Sequence, residues 1–289
     1  MHCFQYARPQ TVSEAVELLA THGSDARILA GGTDLVIALR GGQARPKVVI
    51  DLKRISELDP AVRLNGDSLR ISATTVMTDV EESADVQHHF PALAEAAGFI
   101  GSVQIRNRAT VVGNICNASP AADTAPPLLV YGASLQAIGP SGVRTIALDD
   151  FFVRSKVTTL QPQELVLGID VPLPVLNLGS AYTRLTRRRG TDLASVTLCV
   201  GVDQKGVTRL SYGSVGPRPV LAVDKSGVLA DPKASEEAKM EVLARLLAGA
   251  SPSPRSMRAG PDYRLAMLPV LGYRAVQKAI ERLSEGILI

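Results

Sequence analysis

Residues 106–123, RNRATVVGNICNASPAAD, impose the tightest constraint on how this chain can fold. Thr110, Asn114, Asn117, Ser119 and Asp123 stand there among Val, Ile and Ala. A core strand cannot bury that many side-chain donors and acceptors without partners. A solvated loop has no use for so much Val and Ile. Two arrangements satisfy the segment. In one, Asn114, Asn117 and Asp123 bond their own backbone in a crowded turn. In the other, the polar residues hold a ligand closely. Each residue taken singly fits the first arrangement better; the combination shifts the balance toward the second.

A related segment lies upstream. LAGGTDL, residues 29–35, sets two glycines between an apolar strand and a helix start. Glycine leaves no Cβ between backbone and ligand and tolerates positive φ. Successive N–H groups at such a turn, ahead of a helix N-terminus, make an anion site suited to phosphate. A plain Gly-Gly turn with Asp34 capping the next helix is the competing reading. The turn lacks the Lys-Ser/Thr ending of a P-loop and the three-glycine spacing of a Rossmann turn. In ATVVGN, residues 109–114, Thr110 brings a hydroxyl, Gly113 permits close approach, and Asn114 carries donor and acceptor. Two such turns from separate units can grip a pyrophosphate, with Asp123 accepting from ribose hydroxyls.

Periodicity frames these turns. An N-terminal strand precedes a helix over 11–23, where Thr11 and Glu14 have capping-box spacing and Gly23 ends the run. A strand, the Gly-Gly turn, a short helix and the strand KVVIDLK complete a βαβαβ-like unit over 1–53. The second unit, 54–176, contains a strand and helix start in SLRISATTVMTDVEE and an Ala-rich helix ending near Gly98. A hairpin on a PSG turn follows, and ELVLGIDVPLP closes the unit as an alternating strand. The third unit, 177–289, reads as antiparallel strands with a KG turn, an amphipathic helix over 235–250, and a helix over 262–283 interrupted near Pro269. The chain is α+β.

Composition removes whole classes of function. The net charge of +3 and an aromatic content of 4% without Trp argue against nucleic acid. Three scattered cysteines give neither a disulfide framework nor the four ligands of an iron–sulfur cluster. A reducing, cytoplasmic location follows as the expectation, with no export signal and no apolar run long enough to span a membrane. The four histidines show no metal-ligand spacing, and no hydrolase triad or carboxylate pair emerges. No catalytic or metal-binding residue is assigned. The basic run RLTRRRG at 184–190 fits a solvated or partner-facing loop.

LAGGTDL, IRNRATVVGNICNASPAADTAPPLLVYGA and YTRLTRRRGTDLA, in that order, resemble the FAD-binding medium subunits of molybdenum hydroxylases. That family includes flavin subunits of xanthine dehydrogenases, carbon monoxide dehydrogenases and aromatic N-heterocycle oxidoreductases. The likeness also takes in GSVGPRP and the C-terminal DYR…YRA segment. It implies a flavin fold of the PCMH/VAO type: two N-terminal α/β subdomains and a C-terminal α/β domain like that of carbon monoxide dehydrogenase flavoproteins. FAD would lie in the cleft between them. Ile28, Leu29, Ala30, Gly31, Gly32, Thr33, Asp34 and Leu35 would meet its pyrophosphate from one side, and Thr110, Gly113 and Asn114 from the other. Asp123 matches the position that contacts the adenosine ribose. Ile100, beside Gly101, and Val166 match positions near the adenine or ribitol. Arg184 stands where many relatives carry Lys, and Asp192 and Leu193 fall beside the isoalloxazine.

The resemblance further implies an oxidoreductase subunit passing electrons from a 2Fe–2S small subunit through FAD to an external acceptor. A molybdopterin-binding large subunit would complete the complex, as a dimer of heterotrimers. Three departures accompany the likeness. Ala109 and Val112 replace glycines of the family turn, Leu193 cannot donate a hydrogen bond to a flavin, and Arg184 changes the geometry of a Lys. The alternatives are a stand-alone FAD oxidoreductase of the same fold and a non-redox nucleotide-binding subunit.

Overall fold

In the computed structural model, which describes residues 2–286, the first helix starts where its cap dictates. Thr11 Oγ1 accepts from Glu14 N–H at 3.2 Å, and Glu14 reaches back to accept from Gln10 N–H at 2.7 Å. Helix Val12–His22 follows, burying Ala15 and Leu19, and Gly23 closes it at φ +49°. Strands Gln5–Ala7, Ala26–Leu29 and Val48–Asp51 pair in parallel, with Val48–Asp51 between the other two. The central strand is buried throughout, as a parallel strand covered on both faces must be.

Residues 62–172 build an antiparallel sheet in the spatial order Val62–Asn65, Ser68–Ser72, Leu165–Pro172, Ser134–Gly139, Gly142–Ala147. The expected alternation of residues 165–172 is interrupted at a bulge between Val166 and Gly168, and Leu165 and Val166 are both buried. Between Ser72 and Ser134 runs a series of short helices: Met77–Glu82, Ala84–His89, Pro91–Gly98, Val103–Arg106, Val111–Cys116 and Ala125–Val130. The polar segment 106–123 is thus largely helix ends and connecting turns. Its apolar members, Val111, Val112 and Ile115, enter the main core.

The last sheet is an antiparallel meander, Leu178–Leu185, Val196–Asp203, Thr208–Gly213 and Val220–Asp224. Helices Glu236–Leu246 and Pro261–Gly286 share one core with it. Helix Ala125–Val130 lies against its two middle strands as well, so Val196–Asp203 is buried at every position. The expected interruption at Pro269 does not occur, since Pro261–Gly286 runs through it. An interior proline costs a helix about 3 kcal/mol, and here Leu268, Leu271, Gly272, Ala275, Val276 and Ala279 are buried against the sheet. Side-chain burial at roughly 1.5–3 kcal/mol per large apolar residue outweighs the missing bond. The helix comes so close that a Cβ on Gly179 would stand 2.0 Å from the Ala279 carbonyl oxygen. Among the described residues, no helix is long and apolar enough to cross a membrane, and no His/Cys/Asp/Glu group could hold a metal ion.

Glu95 rivets the two halves together. Its Oε1 accepts from Lys278 at 2.7 Å and Arg282 at 2.5 Å, and its Oε2 accepts from Tyr182 N–H at 3.1 Å. Burial raises the carboxyl's pKa, but the bonds from Arg282 and Lys278 outweigh it and hold the net value below the ordinary glutamate range. A depressed carboxylate stabilises the fold above its unfolded pKa and loses that contribution as pH falls through the folded value. Glu95→Gln is expected to lower unfolding free energy by about 1–2 kcal/mol at neutral pH, with the gap closing in acid. Urea titrations at about pH 7 and about pH 3.5, on either side of the ordinary Glu range, measure it; a gap that widens in acid contradicts the assignment.

Candidate functional site

Strand Ala26–Leu29 delivers LAGGTDL at its C-terminal end, and helix Leu35–Arg40 leaves from it. Gly31 lies directly on the backbone of the other turn: a Cβ there would stand 1.9 Å from the Arg108 carbonyl oxygen. The segments 29–35 and 106–114 are therefore in contact, and a side chain at position 31 would part them. Gly32 takes φ +79°, a conformation side chains disfavour. Among the described residues, the N–H groups of Gly31, Gly32, Thr33, Asp34 and Leu35 meet no acceptor. Asp34 is exposed and makes no side-chain cap. A run of open donors between strand and helix can receive an anionic oxygen. Lys53 stands at its edge, Nζ 3.4 Å from the Ala30 carbonyl and 2.6 Å from Asp51.

Thr110 caps helix Val111–Cys116, its Oγ1 accepting from Gly113 N–H at 3.0 Å. The hydroxyl keeps its proton to donate, and the Val112 N–H has no acceptor among the described residues, whereas Val111 adjoins the antiparallel bridge between Val76 and Thr110. Gly113 is needed by the cap itself, because a Cβ there would stand 2.7 Å from Thr110 Oγ1. Ala109 and Val112 are 8% and 4% exposed and belong to the main core. Both departures from the family turn therefore sit on its interior side. Asn114 Oδ1 accepts from the buried Thr124 hydroxyl at 2.7 Å, leaving the Nδ2 group as the amide's free donor.

Asp123, 5% exposed, accepts from Tyr182 Oη at 2.5 Å, and Arg184 Nη1 lies 3.4 Å from both carboxylate oxygens. Burial pushes the Asp123 carboxyl up from its ordinary range, against the Tyr182 bond and the Arg184 charge. Burial, with the Asp123 charge, also raises the Tyr182 phenol well above its ordinary value. The Arg184 guanidinium stacks 4.6 Å over the Phe99 ring. Ile100 is at the edge of the core, and Val166 is inside it. In the loop 186–193, Asp192 takes two bonds from the Arg187 side chain, at 2.8 and 3.2 Å, and is held down at about 2 by that guanidinium. Thr191 Oγ1 donates to the Gly101 carbonyl at 3.1 Å. Leu193 is half exposed.

Direct contacts thus link most of the residues the sequence singled out: Gly31 to the 106–114 segment, Asn114 through Thr124 to Asp123, Asp123 to Arg184, and Gly101 to the Asp192 loop. Ile28, Leu29 and Ala30 lead into the first turn, half buried. Sequence reasoning missed Glu95, Phe99, Thr124 and Tyr182. Tyr182 finds its partner 59 residues away, and no local pattern announces such a bond.

Residues 2–174 match the family model described as the FAD binding domain in molybdopterin dehydrogenase, and residues 180–279 match the CO dehydrogenase flavoprotein C-terminal domain. The chain belongs to this flavoprotein family. It is 34% identical to the carbon monoxide dehydrogenase medium chain of Hydrogenophaga pseudoflava, over 96% of this chain and 98% of that one. It is 29% identical to the xanthine dehydrogenase FAD-binding subunit of Escherichia coli O157:H7, over 95% of each. A solved carbon monoxide dehydrogenase from Hydrogenophaga pseudoflava superposes with a TM-score of 0.89 at 34% identity, covering 97% of this chain and 98% of the other. Quinoline 2-oxidoreductase from Pseudomonas putida 86 gives 0.85 at 25% identity, covering 97% and 98%. The expected fold, of two cofactor subdomains and a carbon monoxide dehydrogenase-type C-terminal domain, is the one observed.

Two outcomes follow from the geometry. Gly31→Ala is expected to cost about 1–3 kcal/mol, the usual range for overpacking against a fixed neighbour, read as a lowered Tm. Asp192→Asn is expected to free the Arg187 guanidinium and speed tryptic cleavage at 187–189, read by mass spectrometry; an unchanged cleavage rate contradicts the role given to the Arg187–Asp192 pair in holding this loop.

Proposed function

We propose that this chain is the FAD-holding electron-transfer subunit of a multisubunit molybdenum hydroxylase, taking electrons from a 2Fe–2S small subunit and passing them to an external acceptor. A molybdopterin-binding large subunit would oxidise the substrate. The observation that carries the reading is the meeting of two turns at Gly31, with open N–H donors at 31–35 and at 112 beside the Thr110 hydroxyl. Phosphate oxygens are acceptors only, so two clusters of donors match a pyrophosphate in chemistry as well as charge. The residues fit FAD in three further respects. Gly31 and Gly32 allow the close contact with Arg108 and the positive φ on which this turn depends. Asn114 offers an amide N–H. Asp123 supplies a carboxylate suited to ribose hydroxyls.

Bound flavin supplies the one- and two-electron chemistry. This chain's part is to hold the cofactor, orient it and bound its access to water. In this reading residues 1–53 and 54–176 are the two cofactor subdomains and 177–289 the C-terminal domain. Ile100, Gly101, Val166 and Arg184 serve the adenosine and ribityl parts, and Asp192 and Leu193 flank the ring. Leu193 offers the ring an apolar neighbour and no donor. The cysteines agree with a cluster carried elsewhere: Cys3, Cys116 and Cys199 are free and differ in burial.

Purified protein is expected to be yellow with a flavin absorbance spectrum. Gly32→Val and Gly113→Val are each expected to lose FAD while circular dichroism keeps most of the secondary structure. A wild-type protein that stays colourless after incubation with FAD refutes the proposal. Co-purification with iron–sulfur and molybdenum subunits tests the partner assignment independently.

A further inference from the structure

Strand Leu178–Leu185 belongs to the C-terminal sheet, yet Tyr182 and Arg184 both reach Asp123 in the N-terminal half. Three bonds hold that strand in place. Glu95 accepts from Tyr182 N–H at 3.1 Å, Arg282 donates to the Ser180 carbonyl at 2.6 Å, and the Tyr131 and Ser180 hydroxyls meet at 2.6 Å. The Tyr182 phenol, on a fixed backbone and buried, donates to Asp123 Oδ1 at 2.5 Å. Arg184 is divided instead, 3.4 Å from each carboxylate oxygen and stacked on Phe99. At that distance its hydrogen bonds are weak. The single short bond therefore decides how the carboxylate is turned. Oδ1 is engaged, while Oδ2 keeps its acceptor capacity. Because burial keeps the phenol protonated, Tyr182 remains the donor.

We propose that Tyr182 is a positioning residue for the adenosine end of the cofactor: by engaging Asp123 Oδ1 it presents Oδ2 to a ribose hydroxyl. The C-terminal sheet thereby takes part in recognising the dinucleotide, while the N-terminal turns receive its phosphates. This inference rests on the FAD reading above.

The test compares FAD with FMN, which has the same ring and ribityl phosphate but no adenosine. Flavin-free protein is titrated with each, for wild type, Tyr182→Phe, Asp123→Asn and the double variant, after circular dichroism has established folding. Tyr182→Phe is expected to weaken FAD about tenfold, or ~1.4 kcal/mol, and to leave FMN unchanged. The double variant is expected to bind FAD no more weakly than Asp123→Asn alone, because Tyr182 acts through that carboxylate. Equal weakening of FAD and FMN, unchanged FAD binding, or additive losses in the double variant would each overturn the inference. If Tyr182→Phe does not fold, Asp123→Asn decides, since weakening of FMN as much as FAD there removes the premise. A wild-type protein that takes up neither flavin overturns the cofactor reading and this inference with it.

Discussion

Gly31 touches the Arg108 carbonyl backbone to backbone, and the two turns meet because nothing larger than a hydrogen stands between them. One partner comes from the end of a parallel strand, the other from the connection between two short helices. Each leaves amide donors open, because a strand-to-helix turn and a helix start have no internal acceptor for their first N–H groups. Bringing two such ends together concentrates positive partial charge in one place, with Lys53 at its edge. The glycines are less a source of flexibility here than a condition of contact.

A second constraint runs across the two halves. Glu95, Tyr182, Asp123, Arg184 and Phe99 form one connected set, through hydrogen bonds and a cation–π contact. A buried carboxylate without partners is costly, so Asp123 ties the C-terminal strand to the N-terminal core as firmly as it can serve a ligand. In the proposed reading, fold stability and ligand recognition share this residue.

Particular elements show where the sequence was legible. The first helix was readable from its cap, the parallel unit from its alternation of strand and helix, and both glycine turns from their composition. Pro269 misled, because helix propensity is a local quantity whereas the buried face of Pro261–Gly286 draws its stability from the sheet beneath it. The Val166/Gly168 bulge was likewise invisible, since an extra residue is defined only against a partner strand. Val112, a departure from the family turn, proves to be a core residue whose side chain packs inward while its N–H meets no acceptor among the described residues.

By itself the sequence determined the α+β organisation, the two donor-rich turns and the family resemblance, because periodicity, capping and glycine placement act over a few residues. Only the tertiary structure decided that Gly31 meets Arg108, that Thr124 orients Asn114, and that Tyr182 engages Asp123. Each of these joins residues separated in the chain. Such contacts are set by how cores pack and buried polar atoms find partners, and no local spacing encodes that outcome.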